Sequence, residues 1–142
     1  MKWLFLLTIF LVSLRSSAQI SSALLARTTR MNQSGCQQLY WLPDDPTGTA
    51  AVALAERDIQ AKTPFLILVS GEAASVAITT DAAFERQFKV EYYEMGCVSP
   101  NPAAVRAYNA RMFAYLQATY GKAWRRRVRP DVVGLSHWNP WP

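Results

Sequence analysis

Apolar residues recur along this chain in two rhythms, one helical and one extended, and the switches between them fall at proline and glycine. In Thr47 to Thr63 (TGTAAVALAERDIQAKT), Val52, Ala55 and Ile59 are spaced for one helical face in an alanine-rich run that Pro64 ends. Phe65 to Val69 (FLILV) is continuously apolar and bounded by Pro64 and by Ser70 and Gly71. That pattern predicts a strand buried on both faces, at the centre of a sheet. Ser75 to Thr79 (SVAIT) reads as a second short strand. Asp81 then caps a helix from Ala82 to Phe88, with Phe84 and Phe88 on one face, and Val90 to Glu94 (VEYYE) reads as a third strand. Alternation along that strand sends Glu91 and Tyr93 to one face and Tyr92 and Glu94 to the other. Strand, short helix, strand suggests a right-handed crossover between parallel neighbours.

The clearest helix follows. Asn101 suits the N-cap, Pro102 the first helical position, and Gly121 the left-handed C-cap. Between them Val105, Tyr108, Met112, Phe113, Leu116 and Tyr120 form one stripe. A second short helix is expected from Lys122 to Arg129 (KAWRRRVR), with Trp124 and Val128 inward and Arg125, Arg126 and Arg129 outward. The expected fold is α/β in an α+β arrangement: a small, three-stranded mixed sheet packed against the long helix of the C-terminal half. The compact domain is expected over residues 47–135. A loosely structured arm precedes it at 19–46, docking where Tyr40 and Trp41 meet the turn residues of PDDP. An aromatic, proline-containing tail follows at 136–142.

The first residues change the setting of that domain. MKWLFLLTIFLVSL places Lys2 before an apolar run, with Ser16, Ser17 and Ala18 as small residues at a cleavage point, the pattern of a secretory signal over residues 1–18. The run is shorter than the roughly 20 residues of a spanning helix, so no membrane span is expected after cleavage. Removing Lys2 and Arg15 with the leader leaves 13 basic against 10 acidic residues, net +3 rather than +5. So small a surplus favours no nucleic acid and fits a protein of the periplasm or the extracellular space. Export also makes a disulfide between Cys36 and Cys97 the expectation, closing a loop worth about 4 kcal/mol in the chain-entropy account.

The run FERQFKVEYYEMGC, then Tyr108 and Asn109 on a helix, then YGKAWRRRVRPDVVGL, resembles a group of small exported, functionally uncharacterised proteins of Bacteroidetes-type bacteria. The resemblance covers about Pro64 to Leu135 and is carried by Gly96-Cys97, Tyr120-Gly121-Lys122 and Asp131-Val132-Val133-Gly134. It implies export and one compact domain, and it transfers no catalytic residue and no disulfide.

Few residues are placed for chemistry. Cys97 stands at a strand-to-helix turn, four residues before Asn101, where unpaired N–H groups favour a thiolate. The chain's one histidine, His137, is the only imidazole that could serve it as a base. There is no C-x-x-C, no zinc-ligand spacing, and neither G-x-G-x-x-G nor G-x-x-x-x-G-K around Gly71, so neither a metal nor a cofactor is expected. Asp81 and Glu94 have no spacing that demands a catalytic carboxylate pair. Arg125, Arg126 and Arg129 are the candidate anion site, for an acidic partner protein or an anionic surface ligand, against the plainer reading of a solvated face. Trp138 and Trp141 read either as a docking peptide or as a lid on the apolar surface. Two functions follow: a non-enzymatic binding or accessory protein, and, as the alternative, a thiol-dependent enzyme using Cys97.

Overall fold

The computed structural model describes Ser22 and residues 24–68, 78–96, 98 and 100–139. The expected leader, residues 75–77 of the expected second strand, Gly71, Cys97 and Trp141 lie outside the described residues. The chain divides into two compact units, Met1–Gln33 and Ser34–Pro142. In the first, residues 24–33 form helix α1, where Thr28 and Thr29 turn their hydroxyls back onto the carbonyls of Leu24 and Leu25.

The second unit mixes helix and strand. Strand β1 (Phe65–Ile67) and strand β2 (Glu91–Tyr93) pair in parallel, Phe65 opposite Glu91 and Ile67 opposite Tyr93. Every residue of β1 is 0% exposed, and its second edge is also occupied: Leu68 bridges Val132 antiparallel, and Val133 N–H donates to the Ile67 carbonyl at 2.9 Å. The continuous apolar run thus sits at the centre, as its lack of alternation requires. The described sheet has two strands.

Among the described residues of the unit the α-helices are α2 (Gly35–Gln38), α3 (Thr49–Gln60), α4 (Asp81–Phe88) and α5 (Pro102–Tyr120). Helix α5 begins as its sequence dictates, with Asn101 accepting from the Ala103 N–H at 2.8 Å and Pro102 next, and Gly121 leaves it with a φ of +62°. Val105, Tyr108, Met112, Phe113 and Leu116 bury its stripe. On this scale each large apolar side chain contributes about 1.5–3 kcal/mol. Helices α3 and α5 pack closely because Gly48, at a φ of +68°, leaves room where a Cβ would come within 2.7 Å of Ala107. The Arg111 guanidinium clamps Glu56 across the same contact with two hydrogen bonds, one of them 3.0 Å from Nη2.

Asn109, also on the buried stripe, completes the hydrogen bonding of the second edge of β1 at Ile67. Its Oδ1 accepts from Ile67 N–H at 3.0 Å, while its Nδ2 donates to Ile67 O and Val133 O, each at 2.9 Å. An amide carries both a donor and an acceptor, so one side chain satisfies both backbone groups of a buried residue.

Two expectations change. The helix expected from Lys122 to Arg129 is instead a single 3₁₀ turn, Trp124–Arg126, because Trp124 drops into the core and stacks on Phe113 at 5.6 Å. Arg129 consequently turns inward and is 9% exposed. Nor is the arm loose over its whole expected length: from Ser34 onward it forms α2 and a 3₁₀ turn, Leu39–Trp41, with Cys36 and Leu39 in the core. The alternation expected along β2 holds, and both of its faces are covered, since Tyr92 and Tyr93 point to opposite sides and are both buried. Tyr92 stacks on Phe84 at 5.2 Å on one side of the sheet, and Tyr93 meets Phe65 edge-on at 6.0 Å. Of the tail, Trp138 lies against Phe113 and Trp124, with its carbonyl held by Arg125 Nη2 at 2.9 Å.

Candidate functional site

A groove of about 570 Å³ opens at the carboxyl end of β2. Open α/β sheets present ligands at this end, because the chain leaves the strands there as loops free to vary. One wall comes from α2 and the 3₁₀ turn behind it, supplying Gln37, Tyr40 and Trp41. The other comes from the end of β2 and the residues after it, supplying Tyr93, Glu94, Met95, Gly96 and Val98.

The two walls are tied together by their tyrosines. Tyr40 donates its hydroxyl to the Met95 carbonyl, and Tyr93 donates its own to Gln37 Oε1 at 2.5 Å. Burial, helped by the neighbouring Tyr40 and Cys36, pushes the Tyr93 phenol up to about 12, and burial raises Tyr40 as well. Both rings therefore stay neutral and act as fixed aromatic walls. At the rim Trp41 is 82% exposed and Val98 72%, an unusual solvent exposure for two large apolar side chains flanking one groove.

What fixes the first wall is a carboxylate beneath it. Asp58 on α3 is 2% exposed, and both its oxygens lie 2.8 Å from the Gly35 N–H. Tyr108 of α5 donates its hydroxyl to Oδ2 at 2.6 Å. Position 35 must be glycine for α2 to sit this close, since a Cβ there would lie 2.8 Å from the Leu54 carbonyl. Ser34 caps the short helix by accepting from Gln37 N–H. Burial raises the pKa of Asp58 above the ordinary carboxyl value despite these donors. Cys36, in the same cluster, is a free thiol with 0% exposure. Burial, added to by the Asp58 charge, pushes its thiol far up, so it is no nucleophile.

A second polar cluster holds the C-terminal segment. The Arg129 guanidinium binds Asp131 through two bonds of 2.9 and 2.6 Å and Asp81 through one of 3.0 Å. It lies 5.7 Å from the centre of the Tyr92 ring, and Tyr92 Oη accepts from the Arg129 N–H at 3.1 Å. A smaller cleft of about 210 Å³ lies at the opposite, amino end of the strands, where Lys62 and Lys89 both adopt positive φ and Glu85 and Glu91 balance them.

The structure separates most residues that the sequence singled out. Arg125 engages the Trp138 ring and carbonyl while Arg129 is buried in its acid pair, so the three arginines do not form one outward patch. Asp81 belongs to the Arg129 cluster, whereas Glu94 lines the groove. His137 is exposed in the 3₁₀ turn Leu135–His137. Cys36 is one half of the expected disulfide, and Cys97, the other half, lies outside the described residues, although its chain neighbours Gly96 and Val98 both line the groove. Among the described residues no group of three or more His, Cys, Asp or Glu could hold a metal ion. Sequence reasoning missed Asp58, Asn109 and the pairing of Tyr40 and Trp41 with Tyr93. The signal for Asp58 was its place on the buried face of α3 with Ala51 and Ala55. Set beside protein-family models, curated proteins and solved structures, the chain matches none of them.

Proposed function

We propose that this is a small exported binding protein that holds its ligand in the groove between Trp41 and Val98 and performs no reaction of its own. The observation that carries this reading is the 82% exposure of Trp41 on a groove whose tyrosine walls are already locked by hydrogen bonds. A pre-formed, mainly apolar concavity of this volume suits a small ligand, and fixing its walls beforehand lowers the entropy lost on binding. Export rests on the leader and on the likeness to small exported proteins. Neutral Nile red tests the groove: the wild type should raise its emission, and Trp41→Ala should abolish most of that rise. An equal rise with Trp41→Ala would remove the groove from consideration.

The position of Gly96 and Val98 on the groove favours one second reading, thiol chemistry at Cys97. Intact mass after iodoacetamide at neutral pH separates the two. Rapid modification of Cys97 in the folded protein favours the enzyme, and slow modification favours the binding protein.

A further inference from the structure

The chain is mildly basic, with a formal net charge of +5, or +3 without the expected leader, yet Glu94 is the only charged side chain among the described residues that line the groove. The other walls are the rings of Tyr40, Trp41 and Tyr93, and aromatic faces carry negative electrostatic potential. An anionic ligand would meet a carboxylate and no basic group there. Beside the Glu94 carboxylate, two of the groove's acceptors are already partly used, since the Met95 carbonyl accepts from Tyr40 and Gln37 Oε1 accepts from Tyr93. A primary ammonium brings three N–H donors that would have to find partners. A quaternary ammonium brings its charge without any donor.

Resting on the groove reading above, we propose that the groove recognises a small molecule bearing a quaternary ammonium group, with the cation against the Trp41, Tyr40 and Tyr93 rings and Glu94 supplying the counter-charge. The attraction of a cation for an aromatic face operates within about 6 Å of the ring centre and is strongest for tryptophan. Burial keeps the two phenols neutral, so the cage does not depend on their ionisation. Met95 and Val98 then offer apolar contact to the remainder of the ligand.

Calorimetric titration of the full mature chain with choline and with its uncharged isostere 3,3-dimethylbutan-1-ol tests the assignment. Choline should bind at least about tenfold more tightly than the isostere, and also more tightly than methylammonium. Trp41→Ala and Glu94→Gln should each weaken choline by about tenfold or more, since both side chains lie at the groove surface and neither change need disturb folding. Equal affinity for choline and the isostere would overturn the cation assignment and leave the groove reading standing. So would the absence of choline binding up to about 10 mM by a protein that still binds Nile red through Trp41. If Nile red fails as well, the groove reading itself falls. Choline binding that survives both substitutions would overturn the proposed cage by placing the cation elsewhere.

Discussion

Two buried polar clusters fasten the two ends of the compact unit to the same framework, and they do so with opposite electrostatics. Asp58 holds the segment that begins at Ser34 onto α3 and α5 using neutral donors, the Gly35 N–H and the Tyr108 hydroxyl. Arg57 Nη2 lies 3.7 Å from Asp58 Oδ1, on a side chain that is 44% exposed. Arg129 holds the segment that follows Trp124 with a guanidinium between two carboxylates. The first cluster takes a charge out of water against dipoles, with only the solvated Arg57 nearby, and burial wins, so the pKa of Asp58 is raised. The second returns the lost hydration as ion pairs, so hydrogen bonding to Arg129 lowers Asp131. Each carboxylate therefore reports its partner: dipoles position the buried Asp58, whereas the matched guanidinium holds the half-exposed Asp131 charged.

The comparison breaks most visibly at Arg129. Arg129→Ala leaves Asp81 without its cation at a position where its side chain is 17% exposed, and it frees Asp131, which is 39% exposed. The expected loss is about 3 kcal/mol, at the low end for a broken buried pair because Asp131 can rehydrate. Urea unfolding measures it. Arg129→Lys should recover only part of the loss, since an ammonium cannot reproduce the two parallel bonds to Asp131. Full recovery by lysine would reduce the cluster to simple charge balance.

Asp58→Asn is next, at about 2 kcal/mol, because Tyr108 and Gly35 are left with a poorer acceptor in a site closed to water. Its dependence on pH sharpens the contrast. The folded carboxyl of Asp58 lies above its unfolded value of 3.8, so its contribution is fully present below that value and is lost as pH rises through the raised one. Asp131 behaves in the opposite sense. Its folded carboxyl lies below 3.8, so its contribution is present above 3.8 and disappears as pH falls through the lowered value. The gap in melting temperature between wild type and Asp58→Asn should narrow as pH rises, and that for Asp131→Asn should narrow as pH falls. Parallel slopes for the two would mean that both sites share one electrostatic character.

These clusters also mark where the sequence was legible. The strand Phe65–Ile67, its parallel partner, and the helix that Asn101 caps are all written locally, in apolar runs and capping residues that act within one turn or one strand. Asp58, Asn109 and Arg129 look like ordinary solvent-facing residues until their partners arrive from 23, 42 and 48 positions away. The groove is equally non-local. Its walls meet only because Tyr40 reaches Met95 and Tyr93 reaches Gln37 across more than fifty residues of chain. The KAWRRRVR segment misled for a related reason: its helical spacing was sound, but the stacking of Trp124 on Phe113 and the acids facing Arg129 outweighed a helix of two turns.

Cys36 tests whether the Asp58 cluster is as closed as its geometry indicates. With its thiol fully buried and raised beside a carboxylate, it should resist iodoacetamide in the folded protein and react on unfolding without any reductant. Modification of the native protein at the rate of an exposed thiol would show that the cluster opens. Failure to react after unfolding, with reaction restored by reductant, would show a disulfide instead. Cys36→Ala should cost about 1 kcal/mol, the scale of removing one small buried group.

Trp41→Ala carries the smallest expected effect on stability, within about 0.5 kcal/mol, and it sets the open groove against both closed clusters. At 82% exposure the indole has little packing to lose, while Trp124, at 0%, holds Phe113 and Trp138 together. The same urea experiment on the two tryptophans should therefore separate them, with Trp124→Ala costing about 3 kcal/mol or more. A ligand site should show the reverse order in binding: the Trp41 variant keeps its midpoint and loses Nile red, because its side chain is held ready for a partner that is not part of the fold. If Trp41→Ala instead lowered the midpoint as far as Trp124→Ala does, the indole would be a structural element of the Ser34–Trp41 segment, and the contrast between closed clusters and open groove would disappear.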